Sequence, residues 1–220
     1  SSSVTPSMSP SVTVSASRVP LRGKVETLSS AGHSMFALSG DGTLYAWGYD
    51  DSGSMGVGVS SGTRTWTPVV AGSGVLTLAP SANSLAMCAI MRVSLGMRCW
   101  GLGGNGQLGN GGTSNVNTFP SSDLAGLSGL SGVVLGAAHT CVLQGGGVKC
   151  WGRNDNGQLG HADVGVELVP PSNSIAGLPD MGLLASGAEF VCGLASDGAT
   201  GVVCWGHNNR GQLGQGFSDD

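Results

Sequence analysis

The chain of 220 residues carries 40 glycines, a formal charge of −4 and only 10% charged residues, a composition of short, largely buried, turn-rich segments with a sizeable core. Its nine Lys and Arg residues are scattered singly, so no basic stripe exists to neutralise a phosphate backbone, and nucleic acid is not an expected partner. The longest apolar run, Leu85 to Met91, is far short of the roughly 20 residues a membrane helix needs.

Residues 1–23 are dominated by Ser, Thr, Val and Pro and read as a linker or stalk. The other reading makes Val12-Thr13-Val14 an edge strand, because its alternation suits a half-buried strand. Neither an initiator Met nor a signal peptide is recognisable, so the chain reads as a mature or excised piece. From Lys24 onwards, residues 24–220 follow one plan four times. A short apolar segment (Val25 to Leu28, Val75 to Leu78, Val133 to Leu135, Leu183-Leu184) leads through small residues into a hairpin. The first hairpin joins Phe36-Ala37-Leu38 to Thr43-Leu44-Tyr45-Ala46 through Ser39-Gly40-Asp41-Gly42, and its Asp-Gly is strong turn chemistry. The third joins Thr140-Cys141-Val142-Leu143 to Val148-Lys149-Cys150-Trp151 through four residues, Gln-Gly-Gly-Gly.

Each hairpin ends on a tryptophan: Trp47, Trp100, Trp151 and Trp205, spaced 53, 51 and 54 residues apart, with glycine one, six and nine residues after each. Such a period belongs to repeat proteins whose units cannot bury a hydrophobic face alone. A variable stretch of about 20 residues follows, carrying Pro68, Pro120, or Pro170 with Pro171, and proline restricts it to loop and edge-strand roles. Three or four strands per unit, with no helical periodicity, describe an all-β propeller blade.

The pattern Gly-His or Ala-His, Cys-Val-Leu, hairpin, Cys-Trp-Gly, Asn-x-x-Gly-Gln-Leu-Gly resembles the repeat of the regulator of chromosome condensation and beta-lactamase inhibitor protein II superfamily, over residues 24 to 216. The first unit departs from it with Ser54-Met55 in place of Gln-Leu, and the second and fourth lack the histidine held by His33 and His139. The resemblance implies a β-propeller that commonly closes with seven blades. The four units are then expected to be part of a larger ring, with further blades in the parent chain and association-prone faces at both ends of the arc. In such a unit the tryptophans are packing residues, the Leu fills the layer below, and the Gln amide satisfies backbone groups of the tight turn.

Chemical motifs are sparse. Gly101-Leu102-Gly103-Gly104-Asn105-Gly106 matches the dinucleotide fingerprint but lacks its strand-then-helix context, and it is the second copy of the repeat turn, so no cofactor is expected. His33, His139, His161 and His207 show no metal-ligand spacing, and two of them are read as leading into hairpins. No nucleophile elbow or paired-carboxylate constellation is present, so no catalytic residues and no enzyme activity are expected.

The six cysteines fall as Cys88 with Cys99, Cys141 with Cys150 and Cys192 with Cys204, one pair per unit at equivalent places on the two arms of the hairpin; in the remaining unit both places change together, to Phe36 and Ala46. Joint loss is what a disulfide predicts. Buried free thiols and zinc ligation are the competing readings, the second opposed by the missing C-x-x-C spacing. Three disulfides imply an oxidising compartment, hence a secreted or cell-surface protein. Similar Cys-bearing repeats occur, as the resemblance implies, in secreted bacterial proteins and crinkly-type plant receptor ectodomains.

The function expected is a non-catalytic interaction module presenting variable loops to a protein partner. The alternatives are a guanine-nucleotide exchange factor or regulator of a small GTPase, and a structural spacer of a surface protein. The binding face is expected on the turns after each tryptophan, where Tyr49, Arg153 and His207 lie two residues beyond it and Asp51, Asp155 and Asn209 four beyond. These positions vary between copies while the glycines do not, so packing does not dictate them. Trp66, flanked by Arg64 and Pro68, is the only tryptophan outside the repeat, and Trp and Arg are the types most enriched among binding hot spots.

Overall fold

The computed structural model describes residues 19, 21–59, 62–81 and 84–216; the alternative strand at Val12-Thr13-Val14 lies outside them. Those residues form strands alone, in four antiparallel sheets, one per repeat. Blade 1 comprises β1 (Val25–Ala31), β2 (Ser34–Ser39), β3 (Leu44–Tyr49) and β4 (Arg64–Gly72). Blade 2 comprises β5 (Val75–Pro80), β6 (Ala86–Met91) and β7 (Met97–Gly101). Blade 3 comprises β8 (Leu130–Leu135), β9 (His139–Gln144), β10 (Gly147–Arg153) and the two-residue β11 (Val166–Glu167). Blade 4 comprises β12 (Met181–Ser186), β13 (Phe190–Ala195) and β14 (Val202–Gly206). The first strands β1, β5, β8 and β12 contact one another in succession, which puts them innermost. This is the propeller arrangement expected from the repeat.

The hairpins obey the expected registers. Cys141 faces Cys150, with Val142 opposite Lys149 and Leu143 opposite Val148; Cys192 faces Cys204 and Cys88 faces Cys99. All three pairs are disulfides with Cα atoms 4.1 Å apart, and Phe36 stands opposite Ala46 in the blade that lacks one. One turn is tighter than its sequence suggests. Strand pairing in blade 3 runs to Gln144 and Gly147, so Gly145 and Gly146 alone make the turn, both at positive φ; two such residues suit the mirror-image turns that match strand twist. Pro68 lies in β4, the edge strand of blade 1, where the register shifts between the Ala46–Val69 and Gly48–Thr65 pairs. A bulge on an edge strand tolerates the missing N–H.

The tryptophans join the blades. Trp100 Nε1 donates to the Ser54 carbonyl at 2.8 Å, Trp151 Nε1 to the Gln107 carbonyl at 3.1 Å and Trp205 Nε1 to the Gln158 carbonyl at 3.1 Å. Each indole thus closes on the turn of the preceding blade, and Trp100 and Trp151 are fully buried. In blades 1 and 2 the glycine nine residues after the tryptophan gives the next indole its room: a Cβ on Gly56 would lie 2.8 Å from Trp100 Nε1 and one on Gly109 2.6 Å from Trp151 Nε1. The glycine one residue after the tryptophan passes a carbonyl, and a Cβ on Gly101 would lie 2.2 Å from Leu85 O. The Gln amide acts as expected, with Gln107, Gln158 and Gln212 Oε1 accepting the N–H of Asn105, Asn156 and Arg210 at 2.8 Å. Met55, Leu108 and Leu159 fill the layer beneath with no exposure. Three apolar clusters are stacked along the arc, the shared face of blades 3 and 4 burying Cys141, Leu143, Val148 and Cys150. On the other side of blade 4 the equivalents of Leu143 and Val148, which are Leu194 and Val202, are exposed.

The reading of His33 and His139 as one repeat position is corrected by the register. Ser34 pairs with Gly48 and His139 with Gly152, so His139 corresponds to Ser34 and Phe190, and His33 corresponds to Ala138 and Glu189. The one-residue offset turns the two side chains to opposite fates. His33 is exposed, whereas His139 is fully buried, with Nε2 3.2 Å from Ser186 Oγ of the next blade.

Candidate interaction face

In every blade the amide two residues beyond the tryptophan donates to the carbonyl of the residue just before the second strand. The pairs are Tyr49 to His33 (3.1 Å), Leu102 to Leu85 (3.2 Å), Arg153 to Ala138 (2.9 Å) and His207 to Glu189 (2.9 Å). The turn after the tryptophan therefore lies against the turn between the first two strands, at one end of each blade. These ends are joined from blade to blade: Leu85 packs over Gly32, Ser81 Oγ donates to Gly136 O at 2.7 Å, and Ala137 N donates to Ala188 O at 2.8 Å. The result is a continuous rim on a single face.

A buried side chain three residues after the tryptophan pins the turns of blades 1, 3 and 4, whereas blade 2 carries Gly103 there and its amide donates to Asn115 Oδ1 at 3.1 Å. Asn154 Oδ1 accepts the Leu159 amide at 2.8 Å, Asn208 Oδ1 that of Leu213 at 3.0 Å, and Asp50 Oδ1 that of Met55 at 2.9 Å. Asn154 Nδ2 also donates to the carbonyls of His161 and Asp163. Burial pushes the Asp50 carboxyl above its ordinary range despite the Met55 N–H, with Asp51 adding to the rise. Burial alone holds the His139 imidazole down to about 4. With the turn fixed from below, the flanking side chains are presented outwards.

Those side chains form one polar pair per blade on three of the four blades, an Arg–carboxylate ion pair in blade 3 and His–carboxylate hydrogen bonds in blades 1 and 4. His33 Nδ1 lies 2.7 Å from Asp51 Oδ2, Arg153 Nε donates to Asp155 Oδ2 at 2.6 Å, and His207 Nδ1 lies 2.9 Å from Glu189 Oε2. The hydrogen bond donated to Asp155 raises the Arg153 guanidinium further above its usual value, Asp155's charge and, more weakly, that of Glu189 adding to it. In blade 1 the Arg64 guanidinium stands 5.4 Å over the Tyr49 ring, opposite it in the β3–β4 register, and His33 meets the same ring edge-on at 6.1 Å. A fourth pair, His161 Nε2 to Glu167 Oε1 at 2.8 Å, holds the variable stretch of blade 3. Asn209 accepts a long 3.4 Å hydrogen bond from Gln212.

Of the residues read from the sequence as partner-binding, Tyr49, Asp51 and Arg64 are brought into one cluster, and Arg153, Asp155, His207 and Asn209 sit on the same rim. Trp66 lies within β4, and its side chain is outside the described residues. The partners His33 and Glu189 escaped sequence reasoning. Their signal is the hydrogen-bond register between the two turns, which pairs residues 16 to 18 apart that no local motif connects.

A profile of the regulator of chromosome condensation (RCC1) repeat matches residues 131–158 and 183–212, the hairpins and turns of blades 3 and 4. The Ultraviolet-B receptor UVR8 of Arabidopsis thaliana is 31% identical over 192 residues, covering 86% of this chain. The chain belongs to the RCC1-like repeat superfamily. It spans 43% of the length of UVR8. Among solved structures, human WBSCR16 superposes with a TM-score of 0.76 at 23% identity, over 91% of this chain and 52% of the other. Prp20p of Saccharomyces cerevisiae, solved together with its binding properties to Gsp1p and histones, superposes with a TM-score of 0.75 at 21% identity, over 92% and 50%. Among the described residues no helix is long and apolar enough to cross a membrane, and no group of three or more His, Cys, Asp or Glu side chains could hold a metal ion.

Proposed function

We propose that this RCC1-like segment is a non-catalytic protein-interaction module, and that the rim of post-tryptophan turns is the surface it offers to a protein partner in an oxidising, extracellular setting. The observation that carries the reading is the set of exposed polar pairs His33–Asp51, Arg153–Asp155 and Glu189–His207. They occupy positions that the repeat leaves free, on a frame whose glycines and tryptophans do not vary in the same way. Exposed pairs of this kind add little to stability, whereas complementary charge on a rigid surface governs partner choice and encounter rate. Protein binding by a relative, Prp20p with Gsp1p and histones, supports the class of function. The three disulfides support the setting, because such bonds persist where thiols are not kept reduced.

The test is a comparison of wild type with the variant Asp51→Lys, Arg153→Glu, His207→Glu as bait for cell-surface and culture-medium proteins, each prey being re-measured with purified components. A prey that binds wild type and binds the variant at least about tenfold more weakly, with unchanged melting of the bait, supports the face. Preys that bind both equally refute it.

A further inference from the structure

We infer that the cleft between blades 2 and 3 on the outer side of the propeller is a second binding site, separate from the rim, which takes an extended peptide segment bearing a carboxylate between apolar side chains. The cleft has a volume of about 700 Å³. One wall is Leu124, Ala125 and Gly126 after the variable stretch of blade 2; the other is Val169, Pro170 and Pro171 of blade 3, with Lys149 of β10 between them.

The repeat itself shows what Lys149 lacks. Arg98 stands two residues before Trp100, as Lys149 stands two before Trp151. In blade 2 the Leu124 amide donates to Met97 O at 2.8 Å; in blade 3 the Ile175 amide donates to Val148 O at 2.8 Å. The two segments are thus superposable residue for residue, and Ser174 occupies the place of Asp123. Both also close over a glycine, Asp123 over Gly96 and Ser174 over Gly147.

In blade 2 the cation at this position is satisfied. Arg98 Nε donates to Asp123 Oδ1 at 2.7 Å and Arg98 Nη1 to Pro120 O at 3.0 Å. Burial pushes the Asp123 carboxyl up, but the hydrogen bonds from Ser94 and Arg98 and the guanidinium charge outweigh it and hold the group below its ordinary range. In blade 3 the serine supplies no charge, and the Lys149 ammonium makes no hydrogen bond or ion pair with any described residue. Asp123 also lines the cleft, but its two oxygens are taken by Arg98 and Ser94. The cleft therefore presents one uncompensated cation between apolar walls. An incoming carboxylate pairs with Lys149 from the cleft, as Asp123 pairs with Arg98 in blade 2, and flanking apolar side chains of the peptide cover Leu124, Val169 and the two prolines. A charged hydrogen bond of this kind is stronger than a neutral one, which selects a Glu or Asp side chain over its amide.

The isotope-labelled 220-residue chain, titrated with the blocked peptide acetyl-Val-Leu-Glu-Leu-Val-amide and with its Gln analogue, tests the site through the amide resonances of Lys149, Gly126 and Asn110. The expected result is saturable shifts at these three residues, with the Glu peptide binding about tenfold more tightly than the Gln peptide. Lys149→Arg is expected to keep that preference. Ser174→Asp installs the carboxylate that blade 2 already carries and should abolish the preference while the melting temperature holds or rises, so loss of binding cannot be mistaken for unfolding. Absence of saturable shifts, shifts confined to other residues, equal binding of both peptides, or an undiminished preference in Ser174→Asp would each overturn the proposal. None of these results bears on the rim, which lies at the ends of the blades.

Discussion

Substituting phenylalanine for one repeat tryptophan at a time isolates the joint between blades. In Trp151→Phe the ring system shrinks inside a fully buried site, and the Nε1–H that reaches the Gln107 carbonyl at 3.1 Å disappears. That carbonyl keeps one donor, Thr140 Oγ1 at 2.8 Å, so the loss is one net hydrogen bond, about 1 kcal/mol, and not a stranded acceptor. The missing part of the indole leaves a void that blade packing closes only in part, adding about 1 to 2 kcal/mol. A total of about 2 to 3 kcal/mol should lower the melting temperature by roughly 4 to 12 °C for a chain of this size. Trp47→Phe provides the internal control. Trp47 is half-buried and its Nε1 makes no hydrogen bond to the described residues, so the same substitution should cost less than about 1 kcal/mol. Calorimetry of the non-reduced proteins compares the two. Equal shifts would refute the reasoning, because they would mean that the tryptophans act through their own blade rather than through the joint with the preceding one.

Asp50→Asn places at blade 1 the residue that blades 3 and 4 already use. Because burial raises the Asp50 carboxyl in the folded chain, the contribution of that group is present below the ordinary Asp range and is lost as pH rises through the folded value. The variant should therefore be more stable than wild type at pH 7, with the difference vanishing in acid; a denaturant midpoint that falls at pH 7 would count against this. His139, held at about 4 by burial, works with the opposite sign. Stability is full above the unfolded imidazole value near 6.5 and falls as pH drops towards 4, by about 2 to 4 kcal/mol in all. His139→Phe, the residue blade 4 carries at this position over an equivalent glycine, should flatten that acid slope, as read from denaturation at a series of pH values. Mass spectrometry of the non-reduced chain should find no alkylatable thiol, and the double variant Cys141→Ala, Cys150→Ala should lose about 2.7 kcal/mol for a loop of this length. An unchanged midpoint would show that the unfolded chain gains nothing when that loop is released.

Much of the architecture was legible in the linear sequence because its causes are local or repeated. The tryptophan period with its glycines announces four blades, since the glycine directly after each tryptophan marks a place where a Cβ would strike a carbonyl, and Gly56 and Gly109 mark places where it would strike the next indole. The joint replacement of two cysteines by Phe36 and Ala46 reveals a pairing that the strand register then realises. The Gln amides bind where the turn geometry leaves an N–H two residues away. What the order of residues could not disclose depends on register and on contact between units. His33 and His139 look alike beside their glycine and alanine neighbours, yet one residue of offset sends the first to solvent and the second into the core. Glu189 acquires its meaning only when the turn after Trp205 folds back upon it. Lys149 is one lysine among scattered charges until blade 3 is laid over blade 2 and Ser174 is found where Asp123 stands. Spacing along the chain determines which residues repeat; only packing in three dimensions decides which repeated position is left with an unmatched charge, because electrostatic and steric partners are supplied by other strands and other blades.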